Sequence, residues 1–439
     1  MEFMCWKKGI LAALAILLLI GPTLGDDRVN EIQDLLIKVS TELAMRLDVL
    51  SHQKEEGLDE ASAETRLRIL KLIEDQRALL SHLKTALKGG ARETPVAAPP
   101  TDELQAAIHA GLFWLAAHQN SVGYWHPLRY WEESGHETID GIGNPDYAVG
   151  VTALVLMAFL EDGHTYRKGE FKKTVQGGFK YLKEVQDPQG CFGPRESRHF
   201  VYNHAIATLA MVRHYEATKV VAYKRSAAAG VDFILKARNP GAAWRYGIRP
   251  KDNDTSVTGW MIAALAAARD VGIKVEQEAF QEPREWIDRV TNPKTGHVGY
   301  EKRDSGPARA GDMVKRFPPR LSAAMTAAGN AIRLDSGVNP KESTLFQKSL
   351  EHMMSLPPSP APNAADHYYW YWGSRVAAAV GGQTWRAWSK PMREILLARQ
   401  QAKGRTRGSF DPDGPWSLEV GRVYQTAIMI LIAETLATH

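Results

Sequence analysis

Gly111-Leu112-Phe113-Trp114-Leu115-Ala116-Ala117-His118-Gln119 leads on to Gly123-Tyr124-Trp125, and Gly178-Phe179-Lys180-Tyr181-Leu182-Lys183-Glu184-Val185-Gln186 leads on to Gly190-Cys191-Phe192. Both follow one template: glycine, two residues, an aromatic, an aliphatic, glutamine five after the aromatic, then Gly-x-aromatic. Weaker copies follow. Gly230, Phe233, Ile234 and Arg238 lead to Gly241 and Trp244; Trp286, Ile287 and Thr291 lead to Gly296 and Tyr300; Ile395, Leu396 and Gln400 lead to Gly408 and Phe410. The aromatic–aliphatic pair suits a helix face turned to a neighbour, and the glutamine amide suits a helix end, where backbone carbonyls lack partners. Glycine permits a tight reversal and the last aromatic folds back as a plug. A unit that ties itself to the next is the mark of stacked repeats.

Helical periodicity, with Gly, Pro, Asn and Asp as stops, extends the pattern on both sides. It predicts helices over 102–118, 146–161, 170–186, 202–217, 222–237, 254–271, 277–290, 320–333, 342–354, 366–380, 385–400 and 421–436. These make six pairs, the fifth without a clear copy of the template. No alternating β-branched run competes, so the fold class is all-α.

The template resembles the QW motif of the squalene–hopene and oxidosqualene cyclases and their relatives, the protein prenyltransferase β subunits. The resemblance spans 102–439 and implies an α6/α6 toroid, six outer helices around six inner ones, with a central cavity. The closing stretch, Tyr368-Tyr369-Trp370-Tyr371-Trp372-Gly373 through Gly421-Arg422-Val423-Tyr424, resembles exported bacterial members of that superfamily. If the second helix of each pair is the inner one, all six inner helices start at the same mouth. Their unpaired N–H groups make that mouth mildly positive and suited to an anion. Asp146, Tyr147, Tyr202, Asn203, His204, Asp254, Thr255, Ser256, Arg320, Ser322, Asp366, His367, Tyr369, Tyr371, Arg422 and Tyr424 fall there. Trp260, Tyr371 and Trp372 add ring faces able to stabilise a cation.

The resemblance also supplies a chemical test. Triterpene cyclases start with the middle acid of Asp-x-Asp-Asp-Thr, which must stay protonated through burial. The equivalent stretch is Lys251-Asp252-Asn253-Asp254-Thr255, so an amide stands at the acid position and the motif is incomplete. Asp254, with Asp252, is then the candidate catalytic acid. Prenyltransferases bind zinc through Asp-x-Cys and a distant His; Asp366-His367-Tyr368 lacks the thiolate, so no metal and no cofactor is expected. The thioester signature of complement-type toroids is missing at Cys191-Phe192-Gly193-Pro194.

The segments before the toroid differ in character. Lys7-Lys8, an apolar run over 10–20 and the break at Gly21-Pro22 read as a signal peptide over 1–25, which implies export to a periplasm or the outside; uncleaved, it would act as an anchor. Residues 26–90 carry an amphipathic stripe (Ile32, Leu36, Val39, Leu43, then Leu67, Leu70, Ile73, Leu80) that reads as a self-associating coiled-coil arm or a helical hairpin. Residues 91–101 form a Pro/Ala linker. A net charge of +4 over 439 residues gives no basic face for nucleic acid, and two cysteines exclude a disulfide scaffold. Two functions remain. One is an exported scaffold holding an isoprenoid-like, lipid-like or anionic small molecule, or a protein partner. The other is an isoprenoid cyclase or transferase using Asp254.

Overall fold

The computed structural model describes residues 102–132, 141–197, 199–309 and 312–439, leaving out the side chains of 417 and 418. The readings placed on 1–25, 26–90 and 91–101 lie outside the described residues. Among the described residues are twelve long helices: α1 (Glu103–Ala117), α2 (Ala148–Glu161), α3 (Lys172–Glu184), α4 (Phe200–Thr218), α5 (Val221–Ala237) and α6 (Thr255–Asp270), then α7 (Glu278–Val290), α8 (Ala324–Asp335), α9 (Thr344–Met354), α10 (His367–Val380), α11 (Gly382–Arg399) and α12 (Ser417–Thr438). A single extra turn stands at Met313–Arg316. Among the described residues no strand forms; the ladder fragments are isolated bridges such as Gln186 with Phe192 and Gln400 with Phe410.

The even-numbered helices pack side by side in the order α2, α4, α6, α8, α10, α12 and back to α2, a closed inner ring. Each odd-numbered helix lies outside it. The sequence dictates this sorting. In α6 every residue from Thr255 to Ala268 is buried, as a wall packed on both faces requires, whereas α3 buries only Val175, Gly178, Phe179 and Leu182 along one stripe. The architecture is therefore the α/α toroid. α12 is long and apolar enough to cross a membrane, yet it is mostly buried as one wall of the ring.

Successive outer helices are joined by a repeated staple. Gln119 Nε2 donates to Gly123 O at 2.7 Å in its own turn and to Thr174 O at 2.8 Å in α3. Gln186 Nε2 does the same to Gly190 O (3.0 Å) and to Ser226 O of α5 (2.9 Å). Gln400 Nε2 donates to Gly408 O (2.9 Å) and, closing the circle, to Ala107 O of α1 (2.7 Å). The template glycine does more than reverse the chain. Gly190 has φ +94°, and a Cβ there would lie 2.1 Å from Ala229 O; at Gly408, with φ +90°, it would lie 2.2 Å from Ala110 O. Only glycine lets the turn sit on the next helix backbone.

Each plug residue is held by the inner helix. The backbone N–H of Trp125 donates to Thr152 Oγ1 at 3.1 Å, Trp244 to Thr258 Oγ1 at 3.3 Å, Val298 to Thr326 Oγ1 at 3.1 Å and Phe410 to Thr426 Oγ1 at 3.1 Å. In the second repeat His204 Nδ1 stands in for the threonine, accepting from Phe192 N at 3.1 Å. The fourth plug is thus Val298, not Tyr300 as the letters suggested. The template-free fifth pair is tied differently: the Tyr369 hydroxyl contacts the α9-end carbonyls of Met353 (2.8 Å) and Leu356 (2.7 Å).

Gln400→Leu strips two carbonyls of their donor at the ring seam and lowers unfolding free energy by about 1–3 kcal/mol in urea titrations. Gln281→Leu, on the exposed face of α7, stays within about 0.5 kcal/mol.

Candidate functional site

All six inner helices begin at one end of the ring, and five of them, all but α8, enclose a cavity there. α2 contributes Tyr147 at its start, then Gly150, Val151 and Leu154; α4 contributes His199, Tyr202, Asn203 and Ile206; α6 contributes Ser256 and Trp260. Tyr368 of α10, Trp416, Val420 and Tyr424 around α12, and Tyr246 from the loop after α5 complete the wall. The space is about 660 Å³ including its open mouth. A smaller recess, about 260 Å³ with the open solvent at its mouth included, adjoins it, sharing Tyr202, Tyr246, Ser256, Tyr368 and Trp416 and reaching Tyr300, Arg309 and the start of α8 at Ala324–Met325.

Helix geometry selects these side chains. Tyr147/Val151/Leu154, Tyr202/Ile206, Ser256/Trp260 and Val420/Tyr424 are spaced by three or four residues, the interval that keeps side chains on one helix face. α6 and α10 are capped by Asp254 and Asp366, whereas α2, α4, α8 and α12 carry no side-chain cap; the cap positions Tyr147, His199 and Trp416 face the cavity instead.

The polar groups at the mouth form two short networks. Tyr202 Oη donates to Ser256 Oγ (3.0 Å), which donates to Tyr368 Oη (3.0 Å), and Tyr368 Oη in turn donates to Ser256 O (3.2 Å). Tyr147 Oη is bonded to His199 Nδ1, His199 stacks on Tyr246 with ring centroids 5.1 Å apart, and the Tyr246 and Tyr300 hydroxyls meet at 2.8 Å. Burial pushes the Tyr202, Tyr300, Tyr368 and Tyr424 phenols far above their ordinary range, with the nearby Asp254 carboxyl adding to the rise at the first three. They are neutral donors at any physiological pH. The floor is Trp260, stacked on Tyr371 at 5.2 Å.

Of the residues expected at the mouth, Tyr147, Tyr202, Asn203, Ser256, Trp260 and Tyr424 do line the cavity, and Tyr371 lies directly behind Trp260. The others do not. His204 serves the plug of its repeat, and its Nε2 donates to Gly230 O (3.1 Å); burial lowers its pKa to about 3. Thr255 Oγ1 donates to Gly299 O at 2.7 Å, holding the next repeat's turn. Tyr369 points outward to α9, one residue of helix rotation away from Tyr368. Arg422 Nη1 reaches Ser409 Oγ (3.0 Å) and Asp411 (2.6 Å) on the outer side. Asp366 caps Tyr369 N and accepts from Ser322 Oγ (2.7 Å) and Arg309 Nη2 (2.5 Å).

The two candidate acids part company. Asp252 sits in an exposed loop, paired with Arg245 Nη1 at 2.9 Å, away from the cavity. Asp254 is fully buried. Its Oδ1 accepts from Val257 N at 2.7 Å, its Oδ2 has no hydrogen-bond partner by distance and angle, and Arg245 Nε stands 3.8 Å off. Burial raises its pKa to about 7 against the opposing pull of the Val257 N–H and Arg245. It does not line the cavity; Tyr300 and Tyr246 stand between. His199, Tyr246, Tyr300, Tyr368 and Arg309 had not been singled out as site residues. Tyr246 and Tyr300 each sit two residues after a plug, so correct plug register would have found them. Among the described residues no three His, Cys, Asp or Glu side chains are grouped to hold a metal.

No family model matches the chain, and no curated protein does. Among solved structures, a cellobiose 2-epimerase from Bacillus thermoamylovorans B4167 superposes with a TM-score of 0.53 at 11% identity, covering 77% of this chain and 98% of that one. The GH76A α-1,6-mannanase from Salegentibacter sp. HEL1_6 gives 0.52 at 11% identity, covering 77% and 99%. A type II terpene cyclase from Scytonema lies further off, at 0.46 and 11% identity over 76% and 97%. The first two establish the toroid fold. A ring common to an epimerase and a mannanase does not single out the squalene cyclase and prenyltransferase family.

Asp254 dictates a pH dependence. The folded carboxyl keeps its proton up to about pH 7, while the unfolded one releases it near 3.8, so stability falls as pH rises through that window. Asp254→Asn keeps the cap and removes the titration. The wild-type-minus-variant stability difference, followed by urea unfolding, drops by on the order of 4 kcal/mol between pH 4 and pH 7.5 and is flat above.

Proposed function

We propose that this toroid is a binding scaffold that holds one small, partly apolar molecule in its tyrosine-rich cavity and does not turn it over. The observation that carries the reading is the wall itself: among the described residues it offers ring faces, aliphatic groups and neutral hydroxyls, and no Asp, Glu, Lys or Arg. Paired-carboxylate glycoside chemistry needs two acids across the bond to be broken, and this wall supplies neither. A pocket mostly apolar with a few placed polar groups is the usual form of a small-molecule site. An isoprenoid-like or lipid-like body fits Val151, Leu154, Ile206 and Trp260, with a polar end among the phenols at the mouth. Export and self-association through 26–90 belong to the same reading.

A second reading keeps isoprenoid chemistry. It is favoured by one feature, the protonated Asp254 behind Tyr300, whose hydroxyl meets that of the cavity residue Tyr246. The proton would have to cross two phenols rather than pass directly to substrate, as a cyclase acid does.

Full-length protein incubated with squalene and with geranylgeranyl diphosphate is expected to leave both unconverted by mass spectrometry, for wild type and Asp254→Asn alike. Product formed by wild type and abolished in the variant would establish the second reading. Native mass spectrometry of protein extracted from membranes is expected to show one small molecule bound, lost in Val151→Trp, which fills the cavity. Leu43→Glu with Leu80→Glu is expected to lower the oligomeric state seen by light scattering.

A further inference from the structure

The recess beside the cavity contains a buried cation that the ring does not need for closure. Arg309 comes from the irregular segment between α7 and α8, and its side chain is only 1% exposed. Nη1 donates to Ala308 O (3.1 Å) and Nη2 to Asp366 Oδ2 (2.5 Å), leaving Nε with no hydrogen-bond partner. A buried guanidinium donor without an acceptor is costly unless something fills the place.

Three features surround that place. The first turn of α8, at Ala324–Met325, opens onto the recess, with the Ala324 N–H held by Ser322 Oγ at 3.3 Å. Tyr202, Tyr300 and Tyr368 turn neutral phenols toward it. The Arg309 guanidinium lies 5.8 Å over the Trp416 ring, and Trp416 also walls the main cavity, so recess and cavity share one face. Asp366 balances the formal charge of Arg309, and the Arg309 Nε–H is left as a donor with no acceptor.

We propose that the recess binds the carboxylate of an amphipathic acid whose apolar body lies in the main cavity. A planar carboxylate matches the guanidinium edge. The inference rests on the cavity-binding reading and adds the class of ligand.

The test compares two probes of equal size, 4-phenylbutyrate and 4-phenylbutyramide, titrated into the full-length protein at pH 8 with tryptophan fluorescence and calorimetry as readouts. The acid is expected to bind at least tenfold tighter than the amide. In Arg309→Gln that preference shrinks below twofold while the amide affinity is unchanged, and Arg309→Lys retains part of it. Should Arg309→Gln fail to fold, Arg309→Gln with Asp366→Asn removes the pair together and keeps the α10 cap; the same loss of preference is expected. Equal binding of the two probes by wild type, or a preference that survives loss of the guanidinium, overturns the carboxylate site and leaves the cavity reading standing. Binding of neither probe overturns both.

Discussion

Everything in this molecule hangs on a hydrogen bond that leaves its own repeat. A helix-end glutamine satisfies one carbonyl in its own turn and one on the next outer helix, and a glycine of positive φ lets the two backbones come close enough for it. Present at three of the six junctions, the staple fixes the spacing between those outer helices. The last copy matters most, because Gln400 bonds to Ala107 and turns a stack with two ends into a ring with none. Once the ring is closed, the inner helices have one arrangement left: parallel, with every first turn at the same mouth. The cavity follows from the fold's arithmetic rather than from any single residue that lines it.

The sequence conveyed the fold well for a definite reason. Inner helices are buried all round and outer helices on one stripe, and both patterns survive in the letters; the twelve long helices fall within a few residues of where periodicity sets them. The site was legible only in part, because one residue along a helix is about a hundred degrees of rotation. Tyr368 and Tyr369 are adjacent, yet one faces the cavity and the other clamps α9. His204 looked like chemistry and proves to occupy a threonine's place in a structural series, which becomes visible only when Thr152, Thr258, Thr326 and Thr426 are set beside it. Arg309 lies outside the repeat, in a stretch with no periodicity, and nothing in the letters marks it.

Charge is distributed in two layers around the mouth. Among the described residues the cavity wall is largely aromatic and holds no Asp, Glu, Lys or Arg, and charged groups stand behind it: Asp254 beyond Tyr300, and the Arg309–Asp366 pair beyond the shared tyrosines. Asp254 also has a plain structural task, ending its helix, which accounts for its burial without any reaction. The loop residues Tyr246 and Tyr300, from the turns after the plugs, are interposed between Asp254 and the cavity.

The Trp260–Tyr371 stack, with Trp372 packed at its edge, sits across the middle of the ring. The doughnut is consequently a cup and not a pipe. If the cavity holds a small molecule as proposed, that molecule would go in end-first, and exchange of one occupant for another would wait on the first backing out.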